Sequence, residues 1–136
     1  MHLVRPETNS HYGFASYKPQ DLYLLLDKRI TLNTDDVNSL AKLWTYYQKN
    51  DVKSMLEIGQ SLKKKMSFVL DAIYAYEASF PKPDYEGRPI ESLKSIISEL
   101  GTIRFGPVFK EFCQREAIYG YGDLQVKRLY DQILKK

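Results

Sequence analysis

Residues 33–48 have the sequence NTDDVNSLAKLWTYYQ, and this stretch sets the expected fold class. Asn33 and Thr34 are typical of a helix start, and acidic residues follow in the first turn, where the helix dipole favours carboxylates. Apolar side chains then recur at helical spacing and predict one buried stripe: Val37, Leu40, Ala41, Trp44 and Tyr47. We therefore expect an amphipathic helix that runs to about Lys49 and places Trp44 in the core.

The same spacing recurs along the rest of the chain. It predicts further helices over about 20–27, 52–58, 61–79 and 89–100, and two more that begin at 107 and 123. Gly59 and Gly101 stand where helices should end, and Asp123 is the expected N-cap of the last one. His2-Leu3-Val4 suits one short strand, but no strand pairing is expected. The predicted class is all-α, with about six or seven helices around these core residues: Trp44, Leu70, Ile73, Leu93, Ile97, Phe109, Phe112 and Leu129.

Breaker residues divide the chain into four parts. Residues 1–18 form an irregular leader, and 19–80 form an N-terminal helical subdomain. Three prolines and Gly87 exclude a helix near 80–89, so residues 81–88 are the expected linker. Residues 89–136 then form a tri-helical C-terminal subdomain.

Composition restricts the classes of protein to consider. The 136 residues suit one domain or two very small ones, and a net charge of +3 does not by itself indicate nucleic acid. Because Cys113 is the only cysteine, no intramolecular disulfide can form, and a reducing compartment, the cytoplasm, fits best. The longest apolar run, 22–26, is far shorter than the roughly 20 residues of a membrane span. No membrane association and no secretion signal are expected.

No constellation of residues indicates catalysis. The two histidines, His2 and His11, both lie in the leader, and one cysteine cannot complete a zinc site. Cys113 lies at core spacing beside Phe109 and Phe112, so we expect a buried, unreactive thiol. The Gly-x-Gly pair at 120–122 lacks a preceding strand and a third glycine, so it predicts a tight turn, not a nucleotide site. The sequence thus predicts a protein that is not an enzyme, with no catalytic, cofactor-binding or metal-binding residues and no cofactor.

The C-terminal third offers one functional hypothesis. Three helices in about 45 residues are typical of a helix-turn-helix-like DNA-binding unit, whose last helix reads bases. Residues 101–136 contain seven basic and four acidic residues, which accounts for the whole net charge. If the apolar positions of the last helix face inward, a long, polar and net basic set faces outward as possible nucleic-acid contacts: Gln125, Lys127, Arg128, Gln132 and Lys135.

A second hypothesis comes from the tyrosines. Eleven tyrosines are too many to be buried together, and exposed tyrosines are favoured at protein interfaces. We therefore favour a helical interaction or regulatory module without catalytic activity that binds a protein partner. DNA binding through the last helix is the alternative. The identity of the partner and the oligomeric state stay open.

Four stretches resemble a bacterial family of proteins that is classed as a domain of unknown function. They lie between about Lys18 and Ile133: Pro19-Gln20-Asp21-Leu22 through Leu32, Ala41-Lys42-Leu43-Trp44, Glu77-Ala78-Ser79-Phe80-Pro81, and Tyr119-Gly120-Tyr121-Gly122-Asp123-Leu124-Gln125. Members of that family join an N-terminal α/β half to a helical C-terminal half. The resemblance implies that this chain corresponds to the helical half, with the α/β half absent, and it brings no established activity.

Overall fold

The computed structural model describes residues 1–7 and 13–135. Residues 8–12 of the expected leader, with His11, and the terminal Lys136 lie outside the described residues. The all-α class is confirmed, since 69% of the described residues are helical. The helices of the described part are α1 Pro19–Asp27, α2 Thr34–Gln48, α3 Val52–Leu62, α4 Ser67–Ala78, α5 Arg88–Leu100, α6 Phe105–Arg115 and α7 Asp123–Leu134, with short 3₁₀ turns at Gly13–Ser16 and Ala117–Tyr119.

A small sheet corrects the expectation that no strands pair. β1 (His2–Leu3) lies antiparallel to β2 (Ile30–Thr31), with His2 opposite Thr31 and Leu3 opposite Ile30. The backbone of Met1 extends this pairing, because the N–H of Leu32 donates to the Met1 carbonyl at 2.9 Å. Strands of two residues are too short for the period-2 alternation by which sequences indicate β structure.

The start of α2 agrees with its sequence. The Asn33 side chain accepts a hydrogen bond from the Asp36 N–H, and the Asp36 carboxylate accepts one from the Asn33 N–H, both at 2.8 Å. This reciprocal capping box satisfies two backbone donors that a helix start leaves unpaired. The first residue of α2 is therefore fixed by local hydrogen bonds.

The expected helix end at Gly59 is wrong, and the helix expected over 61–79 begins later than predicted, at Ser67, and ends at Ala78. α3 continues through Gly59 to Leu62, and a turn at 63–66 separates it from α4. Gly59 is buried, and a Cβ placed there would lie 2.7 Å from Cδ1 of Ile73. The glycine therefore lets α3 and α4 approach closely, a requirement of packing that a single sequence does not reveal.

The chain divides into two compact units, Met1–Tyr74 and Ala75–Lys136, so the division falls within α4 and ahead of the expected linker at 81–88. The first unit has a core cluster of Leu32, Leu62 and Met66. In the second unit, α5, α6 and α7 all contact one another and form the tri-helical unit that the sequence predicts. Their shared core consists of Leu93, Ile96, Val108, Phe112, Val126 and Tyr130.

Glycines determine the ends of the C-terminal helices. Gly101 ends α5 in the left-handed region, with φ of 57°, as expected. The N-cap of α7 is Gly122 and not Asp123, because the Gly122 N–H donates to Oε1 of Gln125 at 2.9 Å. Asp123 is the first residue of α7, and its carboxylate accepts from the Leu124 N–H at 2.8 Å. The amide of Gln125 therefore replaces the aspartate as the capping group.

Candidate functional site

The apolar stripe of α2 is only half covered by the chain's own core. We call Val37, Leu40, Ala41, Trp44 and Tyr47 the α2 stripe. At its N-terminal end, Val37 and Leu40 pack against the core cluster of the first unit. At its C-terminal end, Trp44 is 59% exposed and Tyr47 is 44% exposed. The two rings stack with centroids 5.5 Å apart and an angle of 27° between their planes. A continuous apolar stripe thus runs from the core to an exposed aromatic surface.

The expectation that Trp44 is a core residue is wrong, and the reason is a rotation of α2. Leu43 and Tyr46 are half-buried, whereas Ala41 and Trp44 are exposed. At about 100° per residue, the covered side is turned by roughly 80° from the direction of Trp44. None of the fifteen residues of α2 is fully buried, so the helix lies at the margin of the core.

An ion pair joins the start of α2 to the turn after α3. The ammonium group of Lys65, in the turn after α3, contacts the Asp36 carboxylate, which is also a capping group of α2. The hydrogen bonds from Lys65 and from the Asn33 backbone lower the pKa of Asp36. The predicted helix over 61–79 would place the three lysines at 63–65 near a helix start. In the structure they follow the end of α3, where the helix dipole favours cations.

Two charged residues of α2 lie away from the exposed half of the α2 stripe. Asp35 and Lys42 lie on the opposite side of α2, about 180° and 200° away from Trp44 by helical spacing. The neighbours of Trp44 one turn before and one turn after are Ala41 and Gln48, which are both exposed.

Helix α1 adds a second exposed apolar surface in the same unit. It buries only Leu25. Four of its nine residues are large, apolar and exposed: Leu22 at 40%, Tyr23 at 72%, Leu24 at 59% and Leu26 at 48%. Exposed tyrosines are therefore present, as the composition predicts, and two of them lie on α1 and α2.

Four of the five predicted nucleic-acid contacts lie on α7, and Lys135 directly follows its last residue. The five divide into two groups. Two are engaged within the chain: the Gln125 amide caps the helix, and the Lys127 ammonium contacts Asp131 and lies 5.6 Å from the Phe105 ring centroid. Arg128, Gln132 and Lys135 are exposed, and no ion pair or hydrogen bond within the described residues involves their side chains. The expected inward set, Val126, Leu129, Tyr130 and Ile133, does pack in the core.

Several other charged groups of the second unit form ion pairs. Arg115 contacts Glu99 at 2.6 Å and Glu111 at 2.7 Å. The hydrogen bonds that Arg115 and Ser95 donate to Glu99 lower the pKa of Glu99 to about 2. Nε of Arg88, whose side chain is 42% exposed, lies 2.9 Å from Oε2 of Glu116, which is 7% exposed. The Tyr119 hydroxyl donates to the carbonyl of Ala75 at 2.8 Å, and burial raises the pKa of Tyr119 to about 12. These contacts all stabilise the fold.

Cys113 is half-buried, and burial raises the pKa of its thiol. Within the described part of the chain, no group of three or more His, Cys, Asp or Glu side chains is placed to hold a metal ion. No helix there is long and apolar enough to cross a membrane. The arrangement with the clearest functional meaning is therefore the exposed half of the α2 stripe.

The sequence did not single out this surface, because a stripe at helical spacing has the same pattern whether its own chain or a partner covers it. The excess of tyrosines was the one available signal. Comparison with protein-family models, with curated proteins and with solved structures finds no match for this chain. The resemblance to the bacterial domain-of-unknown-function family therefore stays a prediction.

Proposed function

We propose that this protein is a non-catalytic helical interaction module that binds a protein partner through the exposed half of the α2 stripe. The observation that supports this most directly is the exposure of Trp44 on an apolar stripe whose other end is core. Tryptophan and tyrosine are enriched at the centres of protein interfaces, where they contribute much of the binding energy. A partner would complete the burial that the core begins.

The remaining features fit the same proposal. Clusters of exposed apolar side chains on soluble domains mark interaction sites, and α1 adds four such side chains. A single cysteine suits a reducing compartment, and we propose the cytoplasm as the place of action.

Site-specific photo-crosslinking in cells tests the proposal. A photoreactive amino acid at position 48 lies one turn from Trp44, and the same amino acid at position 42 lies on the opposite side of α2. We expect protein crosslinks from position 48 that disappear when Trp44→Ala is added, and few from position 42. Equal crosslinking from both positions, or none from position 48, would contradict the proposal.

DNA binding through α7 is the second candidate, and one observation favours it. Three exposed side chains follow one another at intervals of four and three residues, the spacing of one side of a helix: Arg128, Gln132 and Lys135. Long polar and cationic side chains in such a row suit phosphate and base contacts. Against this candidate, the carboxylate of Asp123 occupies the first turn of α7, where phosphates would otherwise be favoured.

The salt dependence of binding to random duplex DNA tests this candidate. The double variant Arg128→Ala, Lys135→Ala should weaken binding and lower the salt slope by roughly one for each lost phosphate contact. The double variant Lys53→Ala, Lys63→Ala removes the same charge elsewhere and serves as control. Absence of binding by the parent protein at low salt removes this candidate.

A further inference from the structure

We draw no further inference here: the strongest candidate, the exposed apolar surface patch that Leu22, Tyr23, Leu24 and Leu26 form on α1, carries none, because nothing in the structure shows what covers it.

Discussion

At the scale of single residues, backbone geometry makes the most specific demand at Gly87. Its φ of 96° is a conformation that side chains other than glycine rarely adopt, and it precedes the first residue of α5. A Cβ at this position would lie 2.3 Å from the backbone oxygen of Ser79, which cannot move without shifting the chain. The glycine is therefore required for the entry into the three-helix unit.

We predict that Gly87→Ala lowers the free energy of unfolding by at least about 2–3 kcal/mol, through strain and the clash together. Gly106→Ala is the matched control, because a Cβ there meets nothing within 4 Å and position 106 lies inside α6. That control should be neutral or stabilise by up to about 1 kcal/mol. Urea denaturation measures both, and equal destabilisation by the two variants would contradict the account.

A second residue-scale prediction concerns acid stability. Because Arg115 and Ser95 lower the pKa of Glu99 from 4.5 to about 2, the folded state holds this carboxylate ionised more strongly than the unfolded state does. The stabilisation from this contact is complete above about pH 4.5 and is lost as the pH falls towards 2. Glu99→Gln should therefore flatten the pH dependence of urea stability in that window. An unchanged slope would show that the contact with Arg115 is not formed in solution.

At the scale of elements, α2 shows which features can be predicted from the sequence and which cannot. The start of α2 could be predicted because Asn33 and Asp36 form a local capping box that needs no other part of the chain. The direction in which α2 faces could not, because it depends on α3 and on the distant contact between Asp36 and Lys65. The α2 stripe was therefore identified as apolar while its exposure was missed.

Two adjacent leucines test the exposure of α1. Leu25 is 4% exposed and Leu26 is 48% exposed, in the same turn of the same helix. Leu25→Ala should lower the free energy of unfolding by about 2–5 kcal/mol, because it leaves a cavity in the core. Leu26→Ala should cost less than about 1 kcal/mol, since surface substitutions have small effects. Chemical denaturation of both variants checks this, and similar losses would mean that α1 packs differently.

At the scale of the whole molecule, each of the two units has its own core and its own natural probe. Trp44 lies in the first unit, and Cys113 lies in the second, one residue after the buried Phe112. The tri-helical unit could be predicted because apolar residues recur at helical spacing within each of three short segments, and glycines separate the segments. Leu93, Phe112 and Leu129 each belong to one of these segments. The division of the chain within α4 could not, since no breaker residue marks it.

We predict that the Cys113 thiol reacts slowly under native conditions, because burial raises its pKa and leaves little thiolate. Phe112→Ala should destabilise by about 3–5 kcal/mol and expose Cys113 at a lower urea concentration. Thiol labelling across a urea series measures both effects. Rapid labelling of the native parent protein would contradict the placement of Cys113 in the structure.

The most direct test of the central claim is the fluorescence of Trp44 in a dilute solution of the purified protein. The account predicts long-wavelength emission and efficient quenching by acrylamide, because Trp44 is 59% exposed. Short-wavelength emission that acrylamide does not quench would place Trp44 in the core, as its helical spacing alone suggests, and would remove the proposed interaction surface.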